Sequence, residues 1–249
     1  TTAAAIPTVV GGGGGGGTSI YTSNPTPDLA IPDDAYNGTQ ASMACNTLAV
    51  ANEPGFNTIN GPVTISISMS HTWVGDLVIK LFPPAGGGYT LVSRPGYGDT
   101  TDNGTGGNGN NANLAIASPL LYSMAAGTEA ELIGNALGDG TVVCAGGGPC
   151  NYNPNAGSTA QSDNLALLNG TTKNGNWQLC IGDAAGADTG VLAAWTLDFG
   201  SVGSPDTSDA LCDDGTSSLN VTFTVSETFT AASVGVGLNA SHAERGDIR

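Results

Sequence analysis

The feature that most restricts the fold of this chain is a strict alternation of apolar and small polar side chains. Its apolar members, separated by threonine or serine, are Val63, Ile65, Ile67 and Met69. Successive side chains of a β-strand point to opposite faces, so the pattern predicts a strand with one buried face. A second apolar run, 77–82, follows a short turn, ends at two prolines and predicts a neighbouring strand.

Glycine limits the rest of the secondary structure. It accounts for 39 of the 249 residues, and glycine inside a helix costs about 1 kcal/mol relative to alanine. Only residues 124–132 predict a short helix, whereas further strands are predicted at 89–93, 175–183 and 190–199. Short strands between Gly/Asn-rich turns predict an all-β sandwich with long Gly/Asn-rich loops.

The charge balance excludes several classes of partner. The chain has 5 Lys+Arg and 21 Asp+Glu, which gives a net charge of −16. So few cations cannot neutralise a row of phosphates, so we expect no nucleic-acid partner and no attraction to anionic membranes. The longest apolar stretch, 114–126, is interrupted by serine and proline and falls short of the ~18 residues that predict a membrane span.

The five cysteines predict two disulfides. They are Cys45, Cys144, Cys150, Cys180 and Cys212. Without a C-x-x-C pair, and with only two histidines in the chain, a zinc ligand set is lacking. We expect Cys144 to pair with Cys150 across a glycine-rich loop, and Cys45 to pair with Cys180. These pairings leave Cys212 without an expected disulfide partner.

Several features favour an extracellular or secreted protein. Lysine is scarce, disulfides are expected, and the chain begins with threonine, which suggests a processed polypeptide. Five N-x-S/T sequons are present, at Asn37, Asn103, Asn169, Asn220 and Asn239. Such sequons also arise by chance in Asn/Thr-rich sequence, and Asn-Gly is a turn signal, so glycosylation is left open.

Four short motifs follow one another in a fixed order between residues 28 and 200. They are Ala30-Ile-Pro-Asp33, His71-x-x-x-Gly75-Asp76-Leu77, Asn174-Gly-x-Trp177-x-Leu179 and Asp188-x-Gly190-x-Leu192-x-x-Trp195. This order resembles the P domain, or Homo B domain, of subtilisin-like proprotein convertases and bacterial secreted proteases. The resemblance implies a β-sandwich of the jelly-roll type. Residues 97–160 are longer and richer in Gly and Asn than the usual connection, so we expect any surface specialisation there.

The motif residues also have physical roles. Gly75 and Gly190 are expected to permit turns between strands. The two motif tryptophans suit a sandwich interior, where each indole N–H needs an acceptor. His71 is expected to hydrogen-bond Asp76 across the turn that they bracket, which is a structural role.

The candidate chemistry is limited. The only histidines of the sequence are His71 and His242, and it has no G-x-S-x-G nucleophile motif. We therefore expect no Ser/His/Asp triad and no enzymatic activity. The chain is still compatible with an origin in a protease-containing polypeptide. The one candidate cofactor is Ca²⁺, with Asp76, Asp183 and Asp188 as carboxylate ligands. The competing interpretation of these aspartates is Asx turns at strand ends.

The C-terminal residues repeat the start of the predicted sandwich. The spacing from Val234 to His242 equals that from Val63 to His71, and His242-x-x-x-Gly246-Asp247 repeats the histidine motif. We therefore predict four segments: a Gly-rich lead at 1–27, a P-domain-like sandwich at 28–200, a linker at 201–218, and the first strands of a second unit at 219–249.

These observations favour a non-catalytic secreted module with a structural role. Its partners would be neighbouring copies or an adjoining domain of a larger secreted protein, and strand exchange through 219–249 would build an extracellular assembly or fibre. The resemblance implies an alternative, an accessory or stabilising domain of a secreted subtilisin-like serine protease. A weaker alternative is carbohydrate binding or surface adhesion through residues 97–160.

Overall fold

A computed structural model describes most of the predicted sandwich. The described residues are 19–97, 101–105, 109–125, 127–129, 133–134, 137–146, 149–157, 162–200 and 202–203. The predicted second unit, with His242, Gly246 and Asp247, lies outside them, as do Cys212 and most of the predicted linker.

The described residues form strands and short 3-10 turns. The strands are β1 (Ile20–Ser23), β2 (Leu29–Ile31), β3 (Ala44–Val50), β4 (Thr58–Ile59), β5 (Thr64–His71), β6 (Leu77–Phe82), β7 (Tyr89–Ser93), β8 (Leu120–Tyr122), β9 (Thr128–Glu129), β10 (Cys150–Asn153), β11 (Gly175–Asp183), β12 (Gly190–Asp198) and β13 (Val202–Gly203). The 3-10 turns are Gln40–Ser42, Val74–Asp76 and Leu165–Leu168. Within this part of the chain, no helix has the length and apolar character to cross a membrane.

The strands build two main sheets. The first sheet has the order β1-β12-β5-β8-β10-β9, and β2 also pairs with β12. The second sheet has the order β3-β11-β6-β7, and β13 pairs separately with β4. The prediction of an all-β sandwich is therefore confirmed.

The core lies between the two sheets. Along β5 every second residue is buried, including Ile65 and Ile67, as the alternation predicts. Trp177 in β11 and Trp195 in β12 are also buried. Their indole N–H groups donate to the Lys173 carbonyl and to Asn46 Oδ1, at 2.7 Å in both cases, so neither indole loses a hydrogen bond on burial.

Three segments differ from the local sequence signals. The expected helix over 124–132 is wrong for its described residues, because Thr128–Glu129 forms β9, which pairs in parallel with β10. The long 97–160 connection also supplies β8, which pairs with the central strand β5. Strand β1 lies inside the stretch predicted as a lead and pairs with β12. In each case pairing with a distant strand outweighs local composition.

Both predicted disulfides are present. Cys45 and Cys180 lie directly opposite each other in the β3–β11 pair, with their Cα atoms 4.0 Å apart. Cys144 and Cys150 close a short loop, with a Cα–Cα distance of 5.9 Å. Two such crosslinks suit an oxidising compartment.

Tyr122 gives a prediction about the core. Its side chain is buried, and its hydroxyl has no hydrogen-bond partner among the described residues. Burial, with a smaller contribution from Tyr152, raises the pKa of Tyr122 far above its ordinary value. Above about pH 10 the unfolded chain loses this proton while the folded chain retains it, so stability falls as pH rises. Tyr122→Phe should raise the free energy of unfolding by about 1 kcal/mol at neutral pH and reduce the alkaline loss.

Urea titrations at pH 7 and pH 11 measure both effects. Tyr21→Phe is the matched control, because the Tyr21 hydroxyl accepts a hydrogen bond from Lys173 Nζ at 2.9 Å and its removal should destabilise the fold. A clear loss of stability in Tyr122→Phe at pH 7 would show that the hydroxyl has a partner after all.

Candidate functional site

His71 lies at the end of β5, where the two sheets approach each other. Its Nε2 atom is 3.1 Å from Oδ2 of Asp183, the last residue of β11 in the second sheet. Both side chains are completely buried. The pair therefore joins the two sheets through one polar contact.

The remaining polar atoms of the pair are also bonded. His71 Nδ1 is 2.8 Å from the Trp73 carbonyl and 3.1 Å from the Trp73 N–H. A protonated ring donates to that carbonyl, whereas a ring with the proton on Nε2 accepts from that N–H. Asp183 Oδ1 accepts from the Ala185 N–H at 3.1 Å. In either state both ring nitrogens are bonded to protein, which is the arrangement of a structural clamp.

This geometry corrects the expected hydrogen bond between His71 and Asp76. The acceptor is Asp183, which is far from His71 in sequence, whereas Asp76 lies in the buried turn Val74–Asp76. The carbonyl of Asp76 accepts from the Ala184 N–H at 3.0 Å and so holds the same corner of the two sheets. The sequence signal for Asp183 was its position at the end of an apolar run, which did not identify its partner.

The two motif glycines are required for close approach rather than for turn conformation. Neither adopts the left-handed backbone conformation. A Cβ atom on Gly75 would overlap the backbone of Gly109 and Asn110, and one on Gly190 would overlap the Ser70 carbonyl. The expectation that these glycines permit turns is therefore replaced by a packing requirement.

Gly190→Ala should lower the free energy of unfolding by about 1–3 kcal/mol, because the added methyl group forces β12 away from β5. Guanidinium denaturation measures the change. Gly186→Ala is the matched control in the same turn region, because its Cβ would meet no atom closer than 3.8 Å. Equal stability of the two variants would contradict the packing role of Gly190.

Two of the three predicted calcium ligands are hydrogen-bonded to protein side chains. Asp183 is engaged by His71, and Asp188 Oδ1 accepts from Thr72 Oγ1 at 2.8 Å. Within the described ranges, no group of three or more His, Cys, Asp or Glu side chains is arranged to hold a metal ion. Calcium at Asp76, Asp183 and Asp188 stays a sequence-based prediction.

A cleft of about 310 Å³ lies beside the end of β5. Its lining includes the hydroxyl-bearing residues Ser70, Thr72 and Thr189, together with Asn113. Thr72 Oγ1 donates to Asp188 and accepts from the Thr189 N–H. His71 also lines the cleft, but both of its ring nitrogens are already bonded to protein, so the imidazole is not aimed at one of these hydroxyls.

The buried lysines form a second polar feature, which no sequence motif predicted. Lys80 Nζ donates to Asp102 Oδ2 at 2.7 Å and to the Tyr36 hydroxyl at 2.9 Å. Lys173 Nζ donates to Glu53 Oε2 at 2.7 Å, in addition to its bond to Tyr21. Both ammonium groups are almost completely buried. The available signal for Lys80 was its place inside an otherwise apolar strand.

The third cation of the described residues is also internal. Arg94 is buried, its Nη1 donates to the Thr105 carbonyl at 2.9 Å, and its guanidinium lies 4.5 Å from the centre of the Tyr97 ring. In the described part of the chain, therefore, the lysine and arginine side chains are buried, and the charged groups exposed to solvent are carboxylates.

Comparisons with known proteins identify no family. No protein-family model matches the chain, and no curated protein matches it. Two similar solved structures are the serine protease of Aeromonas sobria, with a TM-score of 0.38, and the same protease with the chaperone ORF2, with a TM-score of 0.39. Each is 16% identical and covers 74% of this chain. The chain spans about a quarter, 26%, of the length of these proteins.

Proposed function

We propose that this chain is a non-catalytic, secreted β-sandwich module of the P-domain type, with a structural role in joining a neighbouring domain or copy. One observation carries the proposal. The histidine of the described sandwich is completely buried, bonds to Asp183 and Trp73 through both ring nitrogens, and links the two sheets. Such a group stabilises the fold and has no free position for a substrate proton.

Two further observations support the proposal. Two disulfides suit an extracellular location. The described lysine and arginine side chains are internal, which disfavours nucleic acid and anionic surfaces as partners.

The test of the structural role is the assembly state of the purified chain. We expect particles larger than the monomer in light scattering, with a mass that increases with protein concentration, and ordered assemblies in electron microscopy. A strictly monomeric particle at high concentration would exclude the assembly. Casein hydrolysis should be absent, and hydrolysis by the purified chain would exclude a non-catalytic module.

A second candidate function is an accessory domain of a secreted subtilisin-like protease. The order of the four motifs between residues 28 and 200 favours it. The coding sequence upstream of Thr1 tests this candidate directly. A subtilisin-like domain there would support it, and a different upstream domain would eliminate it.

A further inference from the structure

The sandwich also has an apolar groove, which shares no lining residue with the cleft beside His71. The groove has a volume of about 190 Å³ and lies between residues 60–63, Met124 and the Leu165–Leu168 turn. The apolar side chains in its lining are those of Pro62, Val63, Met124 and Ala166. Charged side chains are absent from its lining in the described part of the chain.

One side chain in the groove lining and one next to it in sequence are unusually exposed. Met124 is 45% exposed and Leu167 is 58% exposed, and they are the two most exposed large apolar side chains of the described residues. Met124 lines the groove, and Leu167 follows Ala166, which also lines it. Exposed apolar side chains beside a groove favour a contact with another protein segment.

The chain leaves the sandwich beside this groove. Val202 of β13 pairs with Ile59 of β4, and Asn60, the next residue after Ile59, begins the groove. Gly200 packs closely against Pro62, since a Cβ at position 200 would lie 2.8 Å from the Pro62 carbonyl oxygen. The chain therefore leaves the described sandwich from a strand that lies beside the groove.

We propose that the groove is filled by residues 219–225 of the same chain. In this segment apolar and polar residues alternate. The polar residues are Asn220, Thr222 and Thr224, and the apolar residues are Leu219, Val221, Phe223 and Val225. The sequence therefore predicts a strand with one apolar edge, which presents Phe223 to the groove.

Tether length and charge favour this occupant. The 15 residues of 204–218 are enough to reach a groove that begins beside the exit, and a connection within one chain gives residues 219–225 a high effective concentration there. Residues 219–225 are the first uncharged alternating segment after the exit, whereas 204–218 carries four aspartates that the acidic sandwich surface would repel. The inference holds for either proposed function, because it concerns contact within one chain.

Methionine oxidation in the full chain tests the inference. The chain has three methionines, and Met43 and Met69 are buried, so Met124 reports on the groove and the other two report on the fold. With hydrogen peroxide and peptide mass mapping, Met124 should oxidise about fivefold more slowly than free methionine. Phe223→Asp should bring the rate at Met124 close to that of free methionine.

Thr222→Asp is the matched control, because it places the same charge on the opposite edge of the segment and should leave Met124 slow. Slow oxidation of Met43 and Met69 in every variant verifies that the sandwich is folded. The inference is overturned if Met124 of the unmodified chain oxidises as fast as free methionine, or if the two aspartate variants behave alike. Protection that rises with protein concentration would assign the groove to a neighbouring copy, and release by Val236→Asp but not by Phe223→Asp would assign it to residues 234–240. Either result would also overturn it.

Discussion

Asp102→Ala should lower the free energy of unfolding by about 3–5 kcal/mol, because it leaves the Lys80 ammonium buried without its counter-ion. The side chain of Lys80 is 2% exposed and that of Asp102 is 13% exposed, so water cannot readily replace the lost carboxylate. The substitution also removes the hydrogen bond that the Tyr36 hydroxyl donates to Asp102. Guanidinium or urea denaturation at neutral pH measures the loss.

The double variant Lys80→Met/Asp102→Ala separates the charge from the contact. It removes both ions and keeps the unbranched stem in the strand, so it should recover most of the stability lost in Asp102→Ala. If the double variant is as unstable as the single one, the cost comes from the docking of residues 101–105 and not from an unpaired ammonium.

The geometry around Asp102 explains why one surface loop has so large an expected effect. Gly104 has a φ of 74°, and a Cβ there would overlap the Tyr36 carbonyl, so the loop backbone packs directly against the neighbouring segment. The Tyr36 ring in turn packs against Gly182 of β11. The outer face of the second sheet is therefore covered around Lys80, which is buried by residues far from it in sequence.

Cys45→Ala/Cys180→Ala should lower the free energy of unfolding by about 4–5 kcal/mol. The two cysteines are separated by 135 residues, so the disulfide constrains a long segment of the unfolded chain. Because both cysteines lie in paired strands, the folded state should keep its architecture when the covalent bond is removed. Thermal and chemical denaturation of the variant measure the change.

Cys144→Ala/Cys150→Ala provides the comparison within the same molecule. These cysteines are separated by only 6 residues, and the loop-entropy relation predicts a loss of about 2 kcal/mol. Equal losses in the two variants would show that the effect of the long-range disulfide is not entropic. A larger loss for the short loop would contradict the prediction directly.

Local patterns predicted much of the architecture and little of the polar site. Alternation in 63–71 specified which face of β5 is buried, and the spacing of the cysteines indicated both disulfides. The partner of His71 was not predictable, because Asp183 is 112 residues away and belongs to the other sheet. The role of Lys80 was hidden for a related reason, since its counter-ion lies in a loop with no pattern of its own.

By itself, the sequence determined the two-residue period of the strands, the scarcity of helix, the excess of carboxylates and the candidate disulfides. These properties depend on neighbours along the chain, where side-chain periodicity and composition act directly. Only the tertiary structure decided that His71 pairs with Asp183, that Gly75 and Gly190 serve close packing, and that the described cations are internal. These contacts depend on which strands become adjacent, because a buried polar group requires a partner in space and its position along the sequence does not specify that partner.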